Sequence, residues 1–252
     1  MGSTLTLLPD AALERLRSAR RVVALTGAGI SAESGVPTFR DAQTGLWAKY
    51  RAEELATPEA FLANPRLVWD WYAWRRQLTG QAKPNPGHSV LARFQELFSD
   101  FTLITQNVDG LHERAGSRNI LELHGNIDTT LCFDEGTPVS EYEDDGVAPP
   151  RCPRCGGLLR PGVVWFGESL PRGVLERARL AAEACEVLLS VGTSSLVHPA
   201  AGLPLLAQER GALLLEVNPS STPLTPYVDF ALSGPAGQIL PQLLQQIEAE
   251  RH

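Results

Sequence analysis

Short apolar runs alternate along the chain with segments in which apolar residues recur at helical spacing. An apolar run of five or six residues is typical of a buried strand, and the longer amphipathic segments are typical of covering helices. We predict strands at 22–26, 101–105, 120–124, 159–168, 186–191 and 213–218. We predict helices at 10–21, with Asp10 as its cap, and at 51–80, 89–98 and from about 236 onward. Strands that alternate with helices in this way predict an α/β fold with a parallel sheet.

The overall composition is that of a globular protein with a substantial apolar core. The chain has 252 residues, of which 43% are hydrophobic, and a net charge of −7. This charge argues against general binding to nucleic acid or to an anionic membrane. Four cysteines are too few for a disulfide scaffold at this length. The sequence has no run of 18 apolar residues and no signal-peptide layout, so a cytoplasmic enzyme is our default expectation.

The most distinctive stretch follows the first predicted strand. It contains the spacing Gly27-x-Gly29-x-x-Ala32, which fits a loop that holds a dinucleotide pyrophosphate between a strand and a helix. A dehydrogenase with this loop carries an acidic residue about 20 positions later, at the end of a second strand. Residues 47–54 contain acids but no apolar strand. The loop therefore allows a dinucleotide but argues against an ordinary dehydrogenase.

Five short motifs follow one another along the chain: SAESGVPTFR at 31–40, TQNVD at 105–109, ELHGN at 122–126, VWFGE at 164–168 and GTS at 192–194. Together they resemble, in the same order, the signatures of the sirtuins, which are NAD-dependent protein-lysine deacylases. The resemblance extends from about residue 22 to about residue 240, nearly the whole chain.

The resemblance implies NAD as the co-substrate. Its contacts would come from the glycine loop and its continuation, from the ends of later strands and from the start of the last helix. The implied residues are Gly27, Ala28, Gly29, Ser31, Ala32, Glu33, Pro37, Phe39, Arg40, Gln106, Asn107, Val108, Asp109, Gly192, Thr193, Ser194, Asn218 and Ala236. Among them, Phe39 would screen the reacting centre from water, and Asp109 would bind the carboxamide of nicotinamide.

Two residues that follow predicted strands are the catalytic candidates. His124 is the only histidine that ends a predicted strand and precedes a glycine, where it can act as a general base near neutral pH. From the residues alone, a purely structural histidine is the alternative. The resemblance implies catalytic roles for His124 and Asn107. It also implies that the segment around Val164, Phe166 and Gly167 pairs by its backbone with a substrate peptide.

Tyr72 and Arg75 lie three residues apart on one predicted helical face, where a hydroxyl and a guanidinium can bind one carboxylate. A surface hydrogen bond or a cation–π contact is the alternative. The spacing resembles the Tyr-x-x-Arg motif of class III sirtuins, which remove acidic acyl groups such as succinyl and malonyl. Ala56 matches a small residue that lines the acyl pocket in that class.

A zinc-knuckle-like turn interrupts the α/β alternation. Cys152 and Cys155 have the spacing of two thiolates that share one metal ion. The resemblance implies a second such pair, but Cys132 is followed three residues later by Glu135 instead of a cysteine. The three cysteines therefore predict a zinc site that Glu135, Asp134 or water completes, or else a module that folds without metal.

The pattern and the resemblance together predict a Rossmann-like parallel sheet with helices on both faces, formed by residues 1–40, 84–127 and 163–252. Two insertions, 41–83 and 128–162, would form a smaller module that is partly helical and partly zinc-ribbon-like. The implied enzyme removes acetyl and acidic acyl groups from lysine in proteins or peptides, releasing nicotinamide, O-acyl-ADP-ribose and free lysine. Two alternatives stay open: a protein ADP-ribosyltransferase and a non-catalytic NAD-binding interaction module.

Overall fold

The structure, a computed structural model, describes residues 7–38, 49–143 and 146–249. Eight strands occur in these ranges: β1 (Arg21–Thr26), β2 (Asp100–Thr105), β3 (Leu121–Glu122), β4 (Gly125–Cys132), β5 (Leu159–Val163), β6 (Val187–Val191), β7 (Leu213–Asn218) and β8 (Phe230–Ser233). Six of them form one parallel sheet in the order β3-β2-β1-β6-β7-β8. The other two, β4 and β5, form a separate antiparallel pair.

Helices cover both faces of the six-stranded sheet. The described ranges contain α1 (Asp10–Ser18), α2 (Ala28–Ala32), α3 (Ala52–Leu55), α4 (Pro58–Ala63), α5 (Pro65–Gln81), α6 (Pro86–Leu97), α7 (Leu111–Arg114), α8 (Arg172–Ala184), α9 (Leu203–Glu209) and α10 (Ala236–Glu248). One face packs against α1, α6 and α10, and the other against α8 and α9. None of these described helices combines the length and apolarity needed to cross a membrane.

The burial of β1 explains its continuous apolar run. Val22 and Ala24 contact one helical layer, whereas Val23 and Leu25 contact the other. A parallel strand covered on both faces needs apolar residues at every position, since successive side chains point to opposite faces. The predicted Rossmann-like architecture is confirmed.

The strand order creates a switch point between β1 and β6, which are neighbours in the sheet but far apart in sequence. The loops that follow these two strands touch directly. Gly29 N–H donates to Gly192 O at 2.7 Å, and Gly27 N–H donates to Val191 O at 3.1 Å. A Cβ atom on Gly29 would lie 2.6 Å from Gly192 O, closer than real Cβ contacts occur. The contact between the two loops therefore requires glycine at this position.

The predicted helix at 51–80 is three helices rather than one. Pro58 and Pro65 each begin a new helix, because proline is accommodated in a first helical turn but not in a helix interior. Thr57 and Asn64 precede them, and each side chain accepts a backbone N–H from the new first turn.

Some predicted element ends also differ from those observed. Asp10 is the first residue of α1 rather than its cap. β3 ends at Glu122, so His124 lies two residues beyond the strand instead of ending it. β5 ends at Val163, so the VWFGE motif follows the strand as a loop. Strand ends depend on pairing with a neighbour, which the apolar pattern of one segment does not reveal.

A third apolar cluster joins α3, α4 and α5 to the antiparallel pair. Its buried members include Ala56, Phe61, Trp71, Tyr72 and Trp165. The aromatic residues of this region are therefore mostly core, as their helical spacing predicts. The division of the chain into a large domain and a smaller module stays a prediction.

We expect Gly29→Ala to lower the free energy of unfolding by about 2–3 kcal/mol, because the added methyl group forces the two loops apart. Gly80→Ala is the matched control: its Cβ would meet nothing within 4 Å. Since alanine favours a helix, this control should gain about 0.5 kcal/mol. Urea denaturation of both variants checks the prediction. A Gly29→Ala protein as stable as the wild type would contradict it.

Candidate active site at the carboxyl edge of the sheet

Side chains connect the carboxyl ends of β2, β6 and β7. The Gln106 amide donates to Thr193 Oγ1 at 2.9 Å, and the Asn218 amide donates to the Thr193 carbonyl oxygen at 2.8 Å. Further along, the N–H of Gly237 in the first turn of α10 donates to Glu33 Oε2 at 2.6 Å. Predicted cofactor residues from four separate segments thus lie along one edge of the sheet, where parallel sheets bind ligands.

Asn107 ties the end of β2 to the glycine loop. Its amide donates to Gly27 O at 3.1 Å and to Ser31 Oγ at 3.1 Å, and its own N–H donates to Thr105 Oγ1 at 3.0 Å. Asn107 is buried, so these bonds fix the orientation of its side chain. Ser31 in α2 and Asn107 after β2, both predicted from the sequence as site residues, are therefore in direct contact.

His88 contacts the same hydroxyl from α6. Asn85 N–H donates to His88 Nδ1 at 3.3 Å, so the neutral ring carries its proton on Nε2. Nε2 lies 3.5 Å from Ser31 Oγ. Ser31 Oγ therefore accepts from His88 and from Asn107, and its own proton remains for another acceptor.

A second buried histidine, His112, extends this polar layer. Its Nε2 lies 2.9 Å from Thr26 Oγ1, which lies 2.9 Å from Thr105 Oγ1. The rings of His88 and His112 are 4.9 Å apart between centroids. Burial, together with the charge of Arg114, lowers the pKa of His88 to about 4. Burial, together with His88, lowers the pKa of His112 to about 3, so both rings are neutral at pH 7.

His124 lies beyond β3 with a defined tautomer. Its Nδ1 is 2.9 Å from the carbonyl oxygen of Gln106, which can only accept, so Nδ1 carries the proton. Nε2 is then the basic atom. Burial lowers the pKa of His124, and the bond to Gln106 opposes this shift. The ring is therefore a neutral base at physiological pH, which suits proton abstraction.

The loop after β5 connects His124 to Ala56. Val164 N–H donates to His124 O at 2.8 Å, and Phe166 N–H donates to Ala56 O at 2.9 Å. Phe166 is 45% exposed, and Gly167 has a φ of +87° with open space around it. Of the three residues of this loop predicted to bind the substrate peptide, Phe166 and Gly167 are exposed and Val164 is half-buried.

An ion pair between the buried Arg160 and the half-buried Glu168 fixes the same loop. The Arg160 guanidinium donates to both carboxylate oxygens of Glu168, at 2.5 and 2.9 Å, and to Val163 O at 2.9 Å. Trp165 N–H donates to Glu168 Oε2 at 2.7 Å. Bidentate Arg–carboxylate pairs combine strength with directional specificity, so the loop has one preferred conformation.

Tyr72 and Arg75 lie beside this loop on α5. Tyr72 is 1% exposed, and its Oη accepts the indole N–H of Trp165 at 3.1 Å. The guanidinium carbon of Arg75 is 5.2 Å from the ring centre of Trp71. Burial lowers the pKa of Arg75, and the nearby Tyr72 and Asp109 oppose this shift. Tyr72, Trp71 and Ala56 belong to one apolar cluster, so the cation of Arg75 lies beside that cluster.

Four side chains converge between β4 and β5. One ligand atom each from Cys132, Glu135, Cys152 and Cys155 lies within 4.8 Å of all the others, and together they could hold a metal ion. Backbone N–H groups of Glu135 and Gly157 donate to the sulfurs of Cys132 and Cys155, both at 3.4 Å. Such N–H···S bonds orient sulfur ligands in metal sites.

The Glu135 carboxylate in this cluster is itself oriented. Arg154 Nε donates to its Oε2 at 2.9 Å, and Thr137 Oγ1 donates to the same oxygen at 3.1 Å. Asp134 instead approaches Gly157, where a Cβ atom would lie 2.1 Å from its Oδ2. Of the two acidic residues that the sequence offered, only Glu135 joins the cluster.

Comparison with known proteins agrees with this geometry. The sequence model of the Sir2 family matches residues 27–199. The chain belongs to the Sir2 family.

Individual relatives cover most of the chain. An "NAD-dependent protein deacylase" of Aquifex aeolicus is 57% identical over 210 residues, covering 83% of this chain and 87% of that protein. The crystal structure of a Sir2 homolog–NAD complex superimposes with a TM-score of 0.89 at 46% identity, covering 96% of this chain and 94% of the other. A Sir2 protein bound to acetylated peptide has a TM-score of 0.83 at 31% identity, with 94% and 97% covered.

Most residues that the sirtuin resemblance implied lie at or near the carboxyl edge, with a few exceptions. Phe39 and Arg40 lie outside the described residues. Pro37 and Ala32 are exposed, and their side chains have no polar atoms that could fix them relative to the edge of the sheet. The N–H groups of Gly27 and Gly29 already donate to carbonyl oxygens, so other atoms of this Sir2 protein's glycine loop would have to meet a phosphate.

Two groups of polar residues at the site were not predicted from the sequence. One is the buried pair His88 and His112, and the other is the Arg160–Glu168 pair with Trp165. Neither histidine follows a strand, the position at which we searched for catalytic groups. An arginine and a glutamate at the two ends of one apolar segment were the only local signal for the ion pair.

We expect the buried histidines to destabilise this Sir2 protein in acid. Between about pH 6.5 and pH 4 the unfolded histidines bind protons that the folded ones do not, because their folded pKa values are lowered to about 4 and about 3. The free energy of unfolding therefore falls as the pH falls through this window. Between pH 7.5 and 4.5, His112→Gln should lose about 2 kcal/mol less than the wild type in urea denaturation.

The exposed His198 supplies the control, His198→Gln, which should follow the wild type. Acidic groups titrate in all three proteins and cancel in the difference, including Glu122, whose pKa burial raises to about 7. Equal pH dependence of wild type and His112→Gln would contradict the assignment of a neutral, buried His112.

Proposed function

We propose that this chain is an NAD-dependent protein-lysine deacylase that removes acidic acyl groups, such as succinyl and malonyl, as well as acetyl. The observation that carries the proposal is the position of Tyr72 and Arg75, which lie at an apolar cluster beside the loop bonded to His124. The Aquifex relative is named an NAD-dependent protein deacylase, and a Sir2 protein binds acetylated peptide, which supports the general reaction.

The donor set at the carboxyl edge fits a dinucleotide. Gln106 and Asn218 offer amide groups and Glu33 a carboxylate, which suit ribose hydroxyls and an adenosine, and Ser31 retains a hydroxyl proton for an acceptor. The NAD complex of a Sir2 homolog supports the assignment. When bound, NAD supplies the ribosyl carbon that accepts the acyl oxygen, with nicotinamide as its leaving group.

His124 then has the role of general base. With its Nδ1 proton committed to Gln106, Nε2 can take a proton from a ribose hydroxyl. The lowered pKa keeps Nε2 free at physiological pH. Asn107 orients Ser31 and the glycine loop around the reacting centre, which lowers the entropic cost of aligning a poorly nucleophilic amide oxygen.

The loop 164–168 supports peptide binding. Phe166 and Gly167 are exposed, while Val164 and Trp165 are fixed by backbone bonds. Glu168 N–H donates to Trp165 O at 3.0 Å and closes a turn, and backbone groups at the rim of such a fixed turn can bond to an extended peptide. The partners that we propose are NAD and acyl-lysine proteins or peptides in the cytoplasm. The net charge of −7 argues against nucleic acid as a partner.

The acidic-acyl preference follows from charge. A guanidinium whose pKa is lowered by burial has lost hydration, so a carboxylate that enters the pocket regains that lost interaction. A neutral acetyl group gains nothing from Arg75. The difference in kcat/KM between the succinyl and acetyl substrates should therefore depend on the Arg75 guanidinium.

We expect Arg75→Met to lower kcat/KM for a succinyl-lysine peptide by about 30-fold or more, because an ion pair of about 2 kcal/mol is lost. The matched acetyl-lysine peptide should change less than threefold. Mass spectrometry of both peptides with and without NAD measures the two reactions. Arg66→Met, an exposed arginine on the same helix, is the control for net charge.

His124→Asn should abolish turnover of both peptides while NAD binding persists. Equal losses on the two peptides in Arg75→Met would reject the acidic-acyl preference. Turnover of neither peptide by the wild type would reject deacylation, and ADP-ribose appearing on the protein substrate would favour the transferase alternative.

We further propose a structural zinc ion held by Cys132, Cys152, Cys155 and Glu135. Three thiolates and one carboxylate match the ligand preferences of tetrahedral zinc. The contacts of Arg154 and Thr137 with Glu135 Oε2 support this choice over Asp134, because an oriented carboxylate loses less entropy when its other oxygen binds metal. The ion would reinforce the link between two turns that the Arg154–Glu135 ion pair already joins.

Glu135→Gln should weaken zinc binding by about tenfold or more, and Glu135→Cys should strengthen it, since the ligand charge falls in one variant and a thiolate replaces a carboxylate in the other. Asp134→Asn is the matched control and should bind zinc like the wild type. Competition with a chromogenic chelator measures affinity, and cobalt(II) spectra report the number of thiolates. Wild-type protein without zinc affinity, or weaker binding only in Asp134→Asn, would contradict the site.

A further inference from the structure

The indole N–H of Trp165 donates a hydrogen bond to Tyr72. Nε1 lies 3.1 Å from Tyr72 Oη, and both side chains are almost fully buried, at 2% and 1% exposure. An indole N–H can donate but not accept. The Tyr72 hydroxyl is therefore the acceptor in this bond.

The hydrogen bond from Trp165 restricts the direction in which the Tyr72 hydroxyl proton can point. A phenol hydroxyl whose lone pair is occupied by Trp165 must point its O–H elsewhere. Among the residues that the structure describes, Tyr72 has no hydrogen-bond acceptor for that proton. Burial raises the pKa of Tyr72, so the group keeps its proton and remains a donor. Arg75 lies three residues further on the same helix and adds a cation.

Contacts with Arg160, Glu168 and Phe61 fix the position of Trp165. The guanidinium carbon of Arg160 lies 3.4 Å from the indole ring centre, and Trp165 N–H donates to Glu168. Phe61 packs on the ring at 5.3 Å between centroids. A cation over the ring face draws electron density from the indole, which strengthens its N–H as a donor. Reorienting the ring would therefore lose its contacts with Arg160, Phe61 and Tyr72.

We propose that Trp165 is a positioning residue for acyl-group selection: its N–H holds the Tyr72 hydroxyl so that the tyrosine proton is directed at the carboxylate of an acidic acyl group. Trp165 does not bind the acyl group and acts only through Tyr72. The inference rests on the proposed acidic-acyl activity and extends it to a residue outside the Tyr-x-x-Arg motif.

The test compares kcat/KM for matched succinyl- and acetyl-lysine peptides in Trp165→Phe, which deletes the N–H and keeps an aromatic ring. We expect the succinyl-to-acetyl ratio to fall about tenfold, as for the loss of one hydrogen bond to a charged group. The change should lie mainly in KM for the succinyl peptide. Trp69→Phe is the matched control, since Trp69 is buried on the same helix as Tyr72 but stacks with Arg76, and its ratio should equal that of the wild type.

Two further proteins separate positioning from a loss of packing. In a Tyr72→Phe background, Trp165→Phe should lower the ratio no further, because the effect runs through the tyrosine hydroxyl. A tryptophan analogue at position 165 in which sulfur replaces the N–H group keeps the ring shape, and it should reproduce the low ratio of Trp165→Phe.

The outcomes are distinct. A wild-type ratio in Trp165→Phe, an additive loss in the double variant, or a wild-type ratio in the sulfur analogue would each overturn the inference and leave the deacylase intact. Absence of succinyl turnover in the wild type would reject the acidic-acyl proposal, and this inference with it.

Discussion

The contact between the loops after β1 and β6 is the constraint on which the site depends. These two strands are neighbours at the switch point of the sheet, and their loops approach until Gly29 N–H donates to Gly192 O at 2.7 Å. No side chain fits between them. The close approach brings Ser31 within reach of Asn107, and it brings Thr193 within reach of Gln106 and Asn218. The glycines that suggest phosphate binding in the sequence thus serve first to join two halves of the sheet.

The loop that follows β5 connects the parts of the proposed site for the acyl substrate. Its backbone bonds to His124 on one side and to Ala56 on the other, and its tryptophan contacts Tyr72. One short loop therefore relates the proposed base, the proposed acyl pocket and the proposed peptide edge. The bidentate Arg160–Glu168 pair, in which only the arginine is buried, gives that loop a single conformation. Removing one partner of such a pair leaves an uncompensated charge, which is why both partners are needed for the geometry.

Charge is distributed unequally between the two sides of the proposed cleft. Under the glycine loop, burial keeps His88 and His112 neutral, so this polar layer orients Ser31 without adding charge. Beside the acyl pocket, the guanidinium of Arg75 remains next to apolar and aromatic side chains. A neutral layer suits the orientation of a hydroxyl, whereas an incompletely hydrated cation suits selection of an anionic group. Loss of hydration thus keeps the histidines that orient Ser31 neutral, and it leaves Arg75 able to select an anionic acyl group.

The sequence by itself determined the features that depend on local order along the chain. The apolar runs predicted five of the six parallel strands and missed the short β8, proline and glycine positions marked turns, and the motifs identified the family. The three-helix division of residues 51–80 was also readable from Pro58 and Pro65, although we predicted one helix. Only the tertiary structure decided which distant residues meet: Trp165 with Tyr72, His88 with Ser31, and Glu135 rather than Asp134 with the cysteines. Local propensities act over a few residues, but these contacts join segments up to 93 positions apart, and their partners are fixed only when the sheet and its loops are packed.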